Sequence, residues 1–141
     1  MTVAIERVAT LDRALLSACD FSFGTPARAY PFDPGFETPR AVRMIAVARV
    51  DGLVAGYGVC QRSGDAAEIR RLEIDAAHRG QGLACRLLDV ARGWAAELGL
   101  AALRLETLAD NPDAARFFAQ QGFAAAGQEG VVLHWYLPLP R

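Results

Sequence analysis

The sequence contains no lysine; all 15 of its basic residues are arginine. That absence excludes Schiff-base chemistry, a catalytic lysine amine and the phosphate loop G-x-x-x-x-G-K-S/T. Cysteine and histidine are scarce too. Cys19, Cys60 and Cys85 stand far apart with no C-x-x-C, and their odd number argues against a disulfide framework. Only His78 and His134 could join them, so no zinc-type ligand set is present and no metal is expected. The three thiols are expected to be small core residues. A dominant charge is also missing: 15 basic against 16 acidic residues leave a net charge of −1, without the basic footprint of a nucleic-acid partner. No apolar run approaches the ~20 residues of a membrane helix, and no basic-then-apolar leader opens the chain. The expectation is a cytoplasmic protein with neither a membrane nor a nucleic-acid partner.

What is present suits one domain over residues 1–141, a length that buries roughly 70% of the unfolded chain's surface. Val3 to Val8 reads as a strand and Thr10 to Cys19 as a helix. From Phe21 to Arg40 periodicity fails among prolines, glycines and aromatics, giving an irregular segment. Met44 to Val50 and Leu53 to Gln61 are strands joined by Asp51-Gly52, a hairpin pair that accepts positive φ at both positions. After Ser63-Gly64-Asp65, Ala67 to Asp75 is a third strand of this meander.

Gln81 to Leu98 turns helical, with Leu83, Leu87, Leu88, Ala91, Trp94, Ala95 and Leu98 in one stripe and Gly99 to close it. Ala102 to Leu108 is the next strand. Asn111 is an N-cap with Pro112 at the first position of a short helix that ends at Gly122. Phe123 to Ala126 and Val131 to Leu137 complete the set. Hairpins followed by strand–helix–strand–helix–strands indicate an α+β fold with a mixed sheet.

The chemistry concentrates at Leu72-Glu73-Ile74-Asp75-Ala76-Ala77-His78-Arg79-Gly80-Gln81-Gly82-Leu83-Ala84. A strand ends, a glycine-bearing turn follows and an amphipathic helix begins. The first amides of a helix lack internal partners and carry the positive end of its dipole, so the turn can cradle a phosphate, with Arg79 adding a formal charge. A plain helix cap beside an exposed arginine is the other reading. A dinucleotide fingerprint fits less well, because Cys85 stands where the third glycine or alanine belongs.

Arg79-x-x-Gly82-x-Ala84 resembles the pyrophosphate motif Q/R-x-x-G-x-G/A of the GNAT superfamily of N-acetyltransferases. Leu103-Arg104-Leu105-Glu106-Thr107 is similar to the family's fifth strand. Asn111-x-x-Ala114-x-x-Phe117-Phe118, with Gly122-Phe123 behind it, is similar to the helix and turn that follow. The resemblance covers Met44 to Phe123. It implies a GNAT fold: a mixed, mostly antiparallel sheet of six to seven strands flanked by helices and splayed between the fourth and fifth strands. It also implies acetyl-CoA as co-substrate. The pantetheine arm would run along Leu72, Glu73 and Ile74, and the pyrophosphate would sit on Arg79, Gly80, Gln81, Gly82, Leu83 and Ala84. Asn111, Ala114, Phe117 and Phe118 would flank the arm and the thiol.

The implied reaction is direct attack of an amine on the acetyl thioester, which needs a base because alkylamines are mostly protonated at neutral pH. Glu106 and Glu68 occupy positions where family members carry it; either could equally be a solvated residue or pair with Arg70, Arg71 or Arg104. Glu73 has the opposite parity to Glu68 on a regular strand and faces away unless a bulge intervenes. One departure is clear: Phe118 stands where many members carry the tyrosine taken as acid for the thiolate, which leaves Tyr57, Tyr136 or water. The acceptor expected is a small-molecule amine near Phe21, Phe23, Tyr30, Phe32, Phe36, Trp135 and Tyr136, with Asp20, Asp33 and Glu37 close by. A protein or peptide amine and a homodimer stay open. The competing class is a non-catalytic acyl-CoA-binding or sensing module.

Overall fold

Strand-length apolar runs separated by glycine turns form seven strands: β1 (Val3–Val8), β2 (Arg43–Val50), β3 (Leu53–Ser63), β4 (Ala66–Ile74), β5 (Ala102–Leu108), β6 (Ala124–Glu129) and β7 (Val132–Pro138). Among the described residues two helices join them, α1 (Leu83–Glu97) and α2 (Pro112–Gln120), with one 3-10 turn over Ala76–His78. The structure is a computed structural model that describes residues 2–9, 19 and 42–140. Apart from Cys19, the helix expected over Thr10 to Cys19 and the irregular segment from Phe21 to Arg40 lie outside the described residues.

The strands form one mixed sheet in the order β1-β2-β3-β4-β5-β7-β6. Every neighbouring pair is antiparallel except β4 and β5, which run parallel. The β2–β3 hairpin turns on Asp51 and Gly52, at φ 51° and 83°, as a two-residue turn of the primed type requires. The helical stripe is realised in α1, which buries Leu83, Leu87, Leu88, Ala91, Trp94 and Ala95. Gly99, at φ 67°, takes the left-handed position beyond its end. α1 begins at Leu83 and not at Gln81, because Gly82 is its N-cap at φ 79° and cannot be helical. β6 runs on to Glu129 and not only to Ala126, since its ladder with β7 continues past a bulge.

Around β2 and β3 the sheet is buried on both faces. One face carries Met44, Ala46, Ala48, Cys60, Ala67, Ile69, Leu103 and Leu105 into the cluster that includes the α1 stripe. The other buries Ile45, Val47, Tyr57 and Val59. Cys60 is inside the first cluster, where burial pushes its thiol up to about 12. Gly56 lies where β3 and β4 approach closely: a Cβ there would stand 2.7 Å from the Glu73 carbonyl oxygen and from Ile74 Cδ1.

Two predictions follow from this packing. Gly56→Ala is expected to cost about 1–3 kcal/mol of unfolding free energy by overpacking, measured by urea denaturation, because the backbone of β4 must move. Cys60 binds its proton more tightly when folded. Its contribution is therefore fully present below the unfolded value near 9 and is lost as pH rises through about 12. Stability should fall across that alkaline window, and Cys60→Ala should make the fall shallower.

Candidate functional site

The parallel ladder between β4 and β5 is short. It pairs Ala66 with Ala102 through Ile69 with Leu105 and then ends, although β4 continues to Ile74 and β5 to Leu108. From Arg70 onward one side of β4 faces a gap shaped like a V. Asp75 donates its amide to the Ala55 carbonyl at 2.7 Å, and an antiparallel ladder alternates residue by residue. Glu73 therefore turns its main chain toward β3, whereas Leu72 and Ile74 turn theirs toward the gap. Arg79 Nε reaches that side, donating to the Ile74 carbonyl at 3.2 Å.

β4 leads directly into a tight turn. His78 sets its Nδ1 2.9 Å from Asp75 Oδ2, and its amide donates to the Asp75 carbonyl at 2.8 Å. Burial, and then the charge of Asp75, push the nearby Cys19 thiol up; Cys19 Sγ donates to the Val54 carbonyl at 3.4 Å. Gly80 (φ 77°) and Gly82 (φ 79°) then reverse the chain, both exposed, with nothing within 4 Å of where a Cβ would sit. No side chain caps α1. Its first amides, on Leu83, Ala84 and Cys85, have no partner within the helix and lie at the positive end of a 15-residue helix, beside a turn whose positive φ values favour glycine. An anionic group fits this place.

Two bulges decide which carboxylates share a face. Arg70 is an extra residue in β4, because Val59 pairs with Arg71 and the next residue, Cys60, with Ile69. A bulge reverses side-chain parity, so Glu73 stands on the same face as Glu68. There Glu73 accepts a 3.1 Å hydrogen bond from the buried Tyr57 hydroxyl, and Glu68 pairs with Arg70 at 3.1 Å. The regular-strand expectation that Glu73 faces away is therefore replaced by its bulge exception. Glu106 is on this face too, one residue beyond the last β4–β5 pair and more than half exposed. In the β6–β7 ladder Ala126 is the extra residue, which turns Glu129 to the same side. Between Glu129 and Glu106 stands His134, which the sequence reading considered only as a metal ligand. Its alternation with Tyr136 on the last strand is the signal that could have placed it beside the site.

The expected flanking residues divide. Asn111 caps α2, accepting from the Ala114 amide at 3.2 Å. Ala114 and Phe117 are half-buried, while Phe118 lies in the core, edge-on to Phe117 (5.0 Å) and Phe123 (5.5 Å). Of the tyrosines open as acids, Tyr57 is fully buried and Tyr136 exposed. Beyond the V, Trp135 Nε1 donates to the buried Thr107 hydroxyl at 2.9 Å, which ties β7 to β5. Among the described residues no group of three His, Cys, Asp or Glu is placed to hold a metal ion, and no helix is long and apolar enough to cross a membrane.

A model of the acetyltransferase (GNAT) family matches residues 10–123. A streptothricin acetyltransferase of Escherichia coli is 36% identical over 63 residues, 45% of this chain but 36% of that protein. An uncharacterized N-acetyltransferase of Mycobacterium tuberculosis is 31% identical over 126 residues, 89% of this chain and 72% of the relative. Among solved structures, a candidate streptothricin acetyltransferase from Bacillus anthracis, in complex with acetyl coenzyme A, superposes with a TM-score of 0.66 at 26% identity. It covers 70% of this chain and 63% of that one. The ribosomal-protein-S18-alanine N-acetyltransferase of Escherichia coli has the same fold, with a TM-score of 0.79 at 20% identity over 99% of this chain and 96% of its own.

Thr107→Val removes the acceptor of the Trp135 N–H while keeping the side-chain shape. The expected loss is about 1 kcal/mol, the net contribution of such a hydrogen bond with a half-buried donor, read by chemical denaturation with tryptophan fluorescence.

Proposed function

This chain belongs to the acetyltransferase (GNAT) family, and from that premise we propose that it moves the acetyl group of acetyl-CoA to a primary amine on a small molecule. The observation that carries the reading is the continuity of two features. The side of β4 released by the splay runs straight into the uncapped start of α1. An extended amide-bearing arm can add to β4 as a strand would, and a pyrophosphate attached to it then arrives at the helix amides. On this reading the main chains of Leu72 and Ile74 hold the arm, and the amides from Gly80 to Ala84 hold the pyrophosphate, with Gln81 and Leu83 among them. Arg79 supplies charge while bracing Ile74. Asn111, Ala114 and Phe117 flank the arm. Phe118 supports them from the core, and Glu73 faces the acceptor side through its side chain. Residues 1–141 act as one domain in the cytoplasm.

For transfer, the amine nitrogen must be neutral when its lone pair attacks the thioester carbon. The ammonium first gives up one proton, a C–N bond forms as the C–S bond breaks, and the nitrogen's second proton passes to the departing thiolate. With an amine pKa of about 10.4, the first proton must be taken by a base. Glu106 suits the task best: it stands at the open part of the V, whereas Glu68 lies inside the paired stretch and binds Arg70, and Glu73 holds Tyr57. Glu68 serves as the second candidate. Arg70 at the β4 bulge adds main-chain groups outside the regular ladder at the same level, where a developing negative charge on the thioester oxygen can be met. Phe118 donates no proton, and a thiol with a pKa near 8.5 can leave without one. The likeness to a streptothricin acetyltransferase supports an amine-bearing antibiotic or amino-acid derivative as acceptor.

Gly82→Glu sets a charge and a strained residue against the pyrophosphate and is expected to abolish acetyl-CoA binding in calorimetry without unfolding the protein; unchanged affinity removes the cradle. Thiol release from acetyl-CoA with streptothricin, amino-acid amides and a short peptide tests the transfer itself, and binding without release would favour an acyl-CoA sensor. Glu106→Gln should lower kcat by about 100-fold or more, as removal of a general base does, with the largest loss at low pH.

A further inference from the structure

We propose that His134 is a positioning residue for this reaction: it holds Glu106 and carries the acceptor's proton from it to Glu129 at the protein surface. The inference rests on the proposed function and adds to it the route by which the base is reset. His134 is the register partner of Glu106 across β5 and β7. Its Nδ1 lies 3.6 Å from Glu106 Oε1, and its Nε2 lies 3.2 Å from Glu129 Oε1. One imidazole therefore bridges two carboxylates carried by three adjacent strands. The ring nitrogen toward Glu129 is closed to solvent and meets that carboxylate at ion-pair distance without hydrogen-bond alignment.

The surroundings favour transfer over a static ion pair. Arg104, the cation nearest along β5 on the same face, is bound to the Ser63 hydroxyl at 2.9 Å and so is drawn toward β3. From β7 the same face presents Tyr136, and from β6 Glu129. His134 is about two-thirds covered and stands between two more exposed carboxylates, Glu106 at the gap and Glu129 at the outer surface. At 3.6 Å the contact with Glu106 is too long for a hydrogen bond. Glu106 is exposed enough to swing, and catalytic hydrogen bonds often tighten only when substrate is bound.

The Ala126 bulge is what makes the bridge. Without it Glu129 would point to the opposite face, and Gly127, at φ 143°, supplies the backbone freedom the bulge requires. The proton balance is simple. The ammonium nitrogen loses H⁺ to Glu106, Glu106 passes it to His134 Nδ1, the Nε2 proton leaves to Glu129 and then water, and exchange with solvent through the exposed carboxylates returns the ring to its starting tautomer. Only N–H and O–H bonds change, and no co-reactant is consumed.

The test compares the full-length wild type with His134→Ala, His134→Gln and Glu129→Gln. Thiol release is followed with streptothricin as acceptor, or with the first amine of the panel that the wild type acetylates. Both His134 variants should lose about tenfold or more in kcat, the scale of an impaired proton transfer, at unchanged acetyl-CoA affinity. Millimolar imidazole should restore turnover to His134→Ala and leave the wild type unaffected. Glu129→Gln should lower kcat less and leave acetyl-CoA binding intact. Wild-type kcat in His134→Ala, or recovery of activity in His134→Gln without added imidazole, would overturn the relay and leave the acetyltransferase reading standing. Absence of turnover by the wild type with every amine would overturn both.

Discussion

The early end of the β4–β5 ladder is the constraint on which the rest of the structure depends. Parallel strands joined by a crossover helix ordinarily pair along their length, since each lost hydrogen bond leaves amides and carbonyls to be satisfied elsewhere. Here pairing stops after Ile69 and Leu105. β4 is held on its other side by β3, where Gly56 permits a close approach. β5 is held by β7, partly through the Trp135–Thr107 bond. Each strand keeps one loyal neighbour, so the gap between them persists without collapsing the core below it. The family's donor, with its chain of amides, can complete the side of β4 that the protein leaves open.

The same architecture sorts the chemistry by face. The side that receives α1 buries the larger apolar cluster, and it fixes the helix whose first amides, on the proposed reading, meet the phosphates. The opposite side gathers Glu68, Glu73, Glu106, His134 and Glu129, each from a different place in the chain. Two one-residue bulges, at Arg70 and Ala126, bring the last member of each series onto that side. On the proposed reading, a polar face placed beside an uncapped helix start separates the two tasks of donor binding and proton handling.

Local chemistry made much of this legible beforehand. The Asp51-Gly52 turn, the α1 stripe, the Asn111 cap and the left-handed Gly99 each have a signal confined to a few residues, and the structure carries all four. The glycines at 80 and 82 marked the turn for the same reason. The bulges had no such signal. Arg70 and Ala126 are displaced by the register of the strands they meet, which no short window of sequence contains, so the side of Glu73 stayed conditional and the bridge through His134 was not seen. The helical pattern begins at Gln81, two residues before α1 itself, because the φ of Gly82 forbids a helical residue there.

Amide hydrogen exchange with and without acetyl-CoA tests the central claim most directly, because it reads the main chain of β4 and the start of α1 residue by residue. The account predicts slower exchange at Leu72 and Ile74 and from Gly80 to Cys85 when acetyl-CoA is added, with no such change for ATP along β4. Protection that leaves β4 untouched, or that falls elsewhere on the sheet, would contradict it.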